Sequence, residues 1–356
     1  MGKSCSKTRN NQNDEPIRFT DYNKVKIPDG YKLIKLATYN VSLRNGINVK
    51  PRIDDIVNFI FSNFKNKGID IICLQGIYDY NLASSMVKQI KNRENDMGIK
   101  FHFAPDFDDV TAESSQHTSR KPKSKSRSKT DSKKMKVQNI IISQHPIVST
   151  IFGEIDDEND FDDVIGTHTI ISANISIVGN IISVHNTYLS KDIRTANIVN
   201  SDIRESELMA VFDIIMQNRE NLRNIKDHMK TDAEFLVGAI NVNEMNGDEL
   251  NEEFTNIISN RHLVDIFRYL NDDNYGYTNT TDERLNYIFI ILTDDMYSDD
   301  SQFKQRIESL DTEAELLDII FERFGIYFLD SYVRNDINIQ GRANNYPVES
   351  IFMMKV

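Results

Sequence analysis

A strand–helix–strand unit between residues 33 and 74 constrains this chain more than any other feature. Leu33 to about Val41 reads as a strand. Pro51 then sits where a helix can start, because its missing N–H is not needed in a first turn. Ile53, Ile56, Val57, Ile60, Phe61 and Phe64 recur at helical spacing and form one apolar stripe. Gly68 is suited to end that helix in a left-handed cap. Ile69 to Leu74 is a short, nearly continuous apolar run, as a strand buried on both faces requires. The unit places the chain in the α/β class.

Similar elements follow. Val137 to Ser143 reads as a strand closed by Pro146. Ile170 to Ile177 and Ile181 to Val184 predict a hairpin turning at Gly179-Asn180. Leu208, Val211, Phe212 and Ile215 give a second helical stripe, and Phe235-Leu236-Val237 a strand leading into Gly238. The acidic stretch 298–325 carries Leu316, Leu317, Ile320, Phe321 and Phe324 at helical spacing. It predicts a helical insert before the last strand. No repeat is visible at solenoid periods.

Six short blocks punctuate these elements. They are Leu36-Ala37-Thr38-Tyr39-Asn40-Val41, Asp70-Ile71-Ile72-Cys73-Leu74-Gln75-Gly76 and Asn186-Thr187-Tyr188-Leu189. After them come Gly238-Ala239-Ile240-Asn241, Arg284-Leu285-Asn286-Tyr287-Ile288-Phe289 and Ala343-Asn344-Asn345-Tyr346-Pro347-Val348. Their order and spacing resemble the endonuclease/exonuclease/phosphatase superfamily, the metal-dependent phosphodiesterases related to DNase I. The resemblance covers roughly residues 32–356. It implies an α/β sandwich: two β-sheets packed face to face with flanking helices.

The reactive residues of that family are missing. Gly76 stands where the resemblance implies a metal-binding Glu. Tyr188 stands for a His, Ala239 and Asn286 for Asp residues, and Asn344-Asn345 for an Asp-His pair. A general base of that kind contributes roughly 10²- to 10⁴-fold in rate. Asn345 cannot take up a proton at neutral pH, and Asn344 has no charge to orient one. Asn40 and Asn241 match the family's phosphate- or metal-proximal asparagines, and Tyr188 keeps a hydroxyl. These residues point to a pocket that holds a phosphate-like anion without cleaving it, or to asparagines that only satisfy backbone groups at strand ends. His185, three residues from Tyr188 on a strand, points to the opposite face. Arg204, Glu207 and His262 to Arg268 fit helix and strand positions of the fold.

No catalytic residue, metal ligand or cofactor is therefore expected. The rival expectation is a divergent Mg²⁺-dependent phosphodiesterase or nuclease with Asp79 or Glu244 as replacement ligands. Asp79 reads more readily as a solvated loop acid.

Charge is uneven. The net charge is -12. Yet Ser119 to Lys136 holds nine Lys and Arg against Asp131 alone. This stretch lies in a Ser-rich, aperiodic segment, 111–136, read as a disordered basic insert. An acidic body repels polyanions, so affinity for nucleic acid or anionic membrane is expected in the insert. Residues 1–30 read as a flexible arm, and 31–356 as a single domain. The start, Met1-Gly2-Lys3-Ser4-Cys5-Ser6-Lys7, fits the N-myristoylation pattern at Gly2, with Cys5 a candidate palmitoylation site. The only cysteines are Cys5 and Cys73. They form no disulfide framework and favour a reducing compartment. No apolar run is long enough for a membrane span. The expected location is cytoplasmic, at a membrane surface through the lipidated arm.

Overall fold

The computed structural model describes residues 26–43, 49–107, 138–155, 168–191, 200–225, 231–246, 249–271, 274, 276–279, 283–292, 313–334 and 345–356. Gly2, Cys5, the insert 111–136, residues 298–312 and Asn344 lie outside them.

The first unit is β1 (Tyr31–Leu43), α1 (Val49–Ser62) and β2 (Ile71–Ile77). The α1 axis runs on through a π-helical turn, Asn63–Lys67, and Gly68 closes it at φ 62°. β1 and β2 pair in parallel, as a helical crossover allows. Then come α2 (Tyr80–Met97), β3 (His102–Ala104), β4 (Ile140–Ser143), β5 (Ile147–Ile155), β6 (His168–Ile177) and β7 (Asn180–Tyr188). The β6–β7 turn falls one residue earlier than the sequence suggests, at Val178-Gly179. Both residues take positive φ, 52° and 95°. A two-residue hairpin loop needs that backbone to match the strand twist, and Val178 accepts it against its preference.

The chain continues through α3 (Asn200–Ile225), β8 (Ala233–Ala239), β9 (Met245–Asn246), β10 (Glu249–Leu250), α4 (Glu252–Arg261), β11 (Leu263–Asp265) and α5 (Ile266–Leu270). It ends with β12 (Asn286–Ile291), α6 (Glu313–Phe324), β13 (Ile326–Val333) and β14 (Val348–Lys355). The acidic segment thus supplies α6, but α6 leads into β13 and not directly into the final strand of the sheet. β13 pairs with β14 at the sheet edge, and its apolar run, Ile326 to Leu329, is cut short by Asp330 and Ser331.

Two six-stranded sheets result, in the orders β13-β14-β1-β2-β4-β3 and β11-β12-β8-β7-β6-β5. Side chains of alternate parity point to opposite faces of each strand. Ile34, Leu36, Ile71, Cys73 and Ile141 from one sheet pack against Ile171, Ile182, Val184, Phe235, Val237 and Ile288 from the other. The outer face of the first sheet packs Tyr39, Ile72 and Leu74 against α1 and α2. The outer face of the second packs Leu236 and Phe289 against α3 and α4. The sandwich expected from the motif order is the fold observed.

Candidate functional site

Strand parity builds the site. Inward positions of β1 run Ile34, Leu36, Thr38, Asn40. Those of β2 run Ile71, Cys73, Gln75, and those of β7 run Ile182, Val184, Asn186, Tyr188. Each strand turns from apolar to polar at the same end of the sandwich. Register adds the next row: Tyr188 lies beside Ala239, and Ala239 lies opposite Asn286. Asn40 lies beside Gln75. Four of the degenerate positions named above, Asn40, Tyr188, Ala239 and Asn286, therefore share one layer between the sheets.

The layer is held by carboxamides. Gln75 Nε2 donates to Thr38 Oγ1 at 2.9 Å and to Asn186 Oδ1 at 2.7 Å, joining the two sheets. Asn186 Nδ2 donates to the carbonyls of Leu74 and Ile140, each at 3.0 Å. This pair was not singled out from sequence. Its signal is a polar residue at an inward position where apolar residues precede it on both strands. At the rim, Tyr78 and Tyr188 share a hydrogen bond between hydroxyls at 2.8 Å.

Gly76 is locked as glycine. It sits at φ 72°, and a Cβ built there lies 2.6 Å from Asn40 Oδ1, 3.1 Å from Ser42 N and 3.2 Å from Ser42 Cα. Asn40 Oδ1 in turn accepts from Ser42 N at 3.2 Å and Ser42 Oγ at 3.0 Å. Asn345 Nδ2 donates to the Asn40 carbonyl at 3.2 Å. Gly238 has a comparable constraint: at φ 139° its missing Cβ would lie 2.0 Å from the Thr187 carbonyl oxygen.

Other members of the layer are less engaged. Asn241 takes φ 58° and donates Nδ2 to the Leu189 carbonyl at 2.5 Å. Its Oδ1 is buried without a hydrogen-bond partner among the described residues. Asn286 is fully buried, and neither side-chain polar atom has a partner among the described residues. Ala239 is fully buried and contributes only a methyl group. Asn344 lies outside the described residues, so its place in the layer is not given.

The proposed replacement ligands have other work. Asp79 is not a solvated loop acid. Its Oδ1 caps α2, accepting from Asn81 N at 2.7 Å and Leu82 N at 3.3 Å. A capping carboxylate satisfies amides that the first helical turn leaves unpaired. Glu244 accepts from the buried Arg284 at 3.2 Å and also from Arg268. Arg284 donates as well to Asp265 at 2.6 Å, and its guanidinium lies over Phe267 and Tyr287.

A divalent cation of the kind the fold family implies does not fit these residues. Mg²⁺ takes hard oxygen ligands, usually including one or two carboxylates. Position 76 has no side chain and no room for one. Ala239 has no donor atom, and Asn40, Asn241, Asn286 and Asn345 carry no charge. Among the described residues, no group of three or more His, Cys, Asp or Glu is placed to hold a metal ion.

His185 faces away from the layer, as its parity requires. It lies under α3 between Ser172 Oγ at 2.8 Å and Glu234 Oε1 at 2.9 Å. Arg219 of α3 donates to both Glu234 oxygens. Burial alone would raise the Glu234 carboxyl, but hydrogen bonds and charge from His185 and Arg219 outweigh it and hold the group below its ordinary value.

No protein-family model matches the chain, and no curated protein matches it. Solved structures do. An endonuclease/exonuclease/phosphatase family protein from Bacteroides thetaiotaomicron superposes with a TM-score of 0.52 at 12% identity, covering 92% of this chain and 99% of that one. The beta toxin of Staphylococcus aureus superposes with a TM-score of 0.52 at 15% identity, covering 89% and 99%. D. rerio TDP2, solved with a single-strand DNA product, superposes with a TM-score of 0.51 at 10% identity, covering 90% and 99%. The fold is DNase I-like. At these identities the DNase I-like likeness is one of architecture, and the site must be read from its own residues.

Proposed function

We propose that this chain is a catalytically inactive DNase I-like protein with a binding or structural role at a membrane surface. One observation carries the inactivity. The position matching the family's metal-binding carboxylate is a glycine at φ 72°, and Asn40 and the Ser42 backbone crowd the space where its side chain would begin. The engagement of Asp79 in a helix cap and of Glu244 with two arginines supports this reading over a divergent enzyme that uses those two residues as ligands. The test is turnover of plasmid DNA, a synthetic phosphodiester and a phosphoinositide with Mg²⁺ or Mn²⁺. No activity above a denatured control is expected. Turnover that copurifies with the folded chain and vanishes in Asn241→Ala defeats the proposal.

The membrane role rests on Gly2, Cys5 and the basic stretch 119–136. Among the described residues no helix is long and apolar enough to cross a membrane. A single myristoyl chain gives a binding constant on the order of 10⁴ M⁻¹, too weak for retention without a second signal. Each Lys or Arg near an anionic bilayer adds about 1 kcal/mol. A clickable fatty-acid analogue should label the protein but not Gly2→Ala. Replacing the nine basic residues by Gln or Ser should release it from anionic vesicles. If the basic stretch instead prefers DNA at equal ionic strength, the nucleic-acid reading replaces the membrane one.

A further inference from the structure

β1 and β7 begin at the end of the sandwich opposite the carboxamide layer. The approach to β1, the β6–β7 turn, the approach to β8, the α6–β13 junction and the end of β14 meet there. Asn180 Nδ2 donates to the Lys355 carbonyl at 2.5 Å. Lys355 N donates to the Gly325 carbonyl at 2.9 Å, and Asp232 N to the Ile181 carbonyl at 2.8 Å. Lys355 pairs with Tyr31, whose ring meets that of Tyr327 edge-on at 5.7 Å. The flank of the basic stretch lies at the other end, where the Gln138 carbonyl accepts from Ile77 N at the close of β2.

Val178 forms the tip of this end and suits neither its backbone nor its surroundings. At φ 52° a β-branched side chain is disfavoured, and Asn or Gly is the usual occupant of such a turn. At 66% exposure it is also the most exposed large hydrophobic residue among those described. A single exposed apolar side chain alone means little. One that gains little burial from the fold while holding an unfavourable backbone points to a partner outside the chain.

Charge indicates the partner. In these segments Lys26, Lys32, Arg323 and Lys355 stand against Asp29, Asp232 and Glu322. The chain as a whole carries -12. Asp232 is also tied to the Ile181 N–H at 2.7 Å. Lys26 and Lys355 are exposed. Tyrosines such as Tyr31 and Tyr327, with an apolar ring and a polar tip, favour the level of lipid headgroups. Residues 1–25, which include Gly2, join the body at this end through Lys26.

We propose that this end of the sandwich rests on an anionic bilayer, with Val178 entering the boundary between headgroups and acyl chains and Lys26 and Lys355 at the lipid phosphates. The inference rests on the membrane reading above and adds the orientation of the body: the end that carries the arm faces lipid, and the carboxamide layer is turned away from it.

The chain has no Trp, so a single introduced Trp is an unambiguous reporter. Val178→Trp is compared with Leu250→Trp, a control 64% exposed beyond the layer end of β8. Both are full chains expressed with an N-myristoyltransferase and mixed with phosphatidylcholine–phosphatidylserine vesicles whose acyl chains are brominated. The reporter at 178 should be quenched and the reporter at 250 should not. Val178→Asn should bind the same vesicles about tenfold more weakly, through lost apolar burial. Its unfolding midpoint should hold or rise, because Asn accepts the turn. Lys355→Gln should bind about fivefold more weakly. A chain that sediments with vesicles while the reporter at 178 is quenched no more than the one at 250 overturns the orientation and leaves the acyl anchor standing. Wild-type binding by either Val178→Asn or Lys355→Gln overturns it too, as does destabilisation by Val178→Asn. A chain that binds no vesicle overturns both this inference and the membrane reading.

Discussion

Asn345 Nδ2 donates to the backbone carbonyl of Asn40, 305 residues away along the chain. The contact turns the Asn345 amide toward β1, and Asn286 is left without a partner among the described residues. The resemblance put a proton-transferring His at 345 and an Asp at 286. In their place stand an amide that fastens a strand and an amide that fastens nothing described.

Restoring a carboxylate at position 76 should fail. Gly76→Glu forces a Cβ to within 2.6 Å of Asn40 Oδ1 at φ 72°, and a strained backbone of this kind costs on the order of 1–3 kcal/mol. Urea denaturation should show the loss. Calorimetric titration with Mg²⁺ should show no heat of binding in the variant. Tight Mg²⁺ binding would mean that the layer is not closed.

Asn186→Ala should be far more damaging. It deletes two donated bonds and one accepted bond that tie the sheets together, and it leaves the Leu74 and Ile140 carbonyls and Gln75 short of partners. At about 1–3 kcal/mol per unsatisfied buried group, a loss of about 3 kcal/mol or more is expected. A midpoint shift under 1 kcal/mol, roughly the net value of one hydrogen bond, would show that the layer does not clamp the sheets.

Asn286→Leu should behave in the opposite sense. Replacing an unpartnered buried amide by an apolar group of similar size removes a desolvation penalty, so stability should hold or rise by about 1 kcal/mol. Strong destabilisation would reveal a hidden partner, such as a bound water or ligand.

Acid should weaken the helix α3 interface through Glu234. Its carboxyl is held below the ordinary value by His185 and Arg219 against the opposing effect of burial. A depressed carboxyl stabilises the fold above the ordinary carboxylate range, and that contribution disappears as pH falls through the depressed value. Glu234→Gln should lose about 3–5 kcal/mol at neutral pH, the cost of breaking a buried pair. The gap to wild type should narrow as the solution is acidified. Equilibrium unfolding across an acid series tests this, and a gap independent of pH counts against it.

Much of the sandwich could be read from residues 33–74 because burial on both faces leaves β2 no polar alternation, and Gly68 marks the end of its helix unambiguously. The β6–β7 turn was misplaced by one residue because Val178 adopts a backbone its side chain disfavours. β13 is not legible in the sequence because its apolar run, Ile326 to Leu329, is only four residues long and is interrupted by Asp330 and Ser331. At the site, strand register places Asn40, Tyr188, Ala239 and Asn286 at one end of the sandwich. The Asn345–Asn40 bond, the cap at Asp79 and the ties between Glu244 and its arginines depend on side-chain directions, which spacing does not encode.

The pairing of β1 with β14, Tyr31 opposite Lys355 through Thr38 opposite Val348, sets an order of events during synthesis. The strand that emerges first among those described must wait, with one edge bare, until more than 300 residues have followed it. β13, which pairs with β14 at the sheet edge, waits for the same segment. Contacts this distant along the chain fold slowly. A nascent chain halted before residue 348 would carry an open sheet edge beside β1, which is a surface that chaperones or a neighbouring nascent chain can occupy.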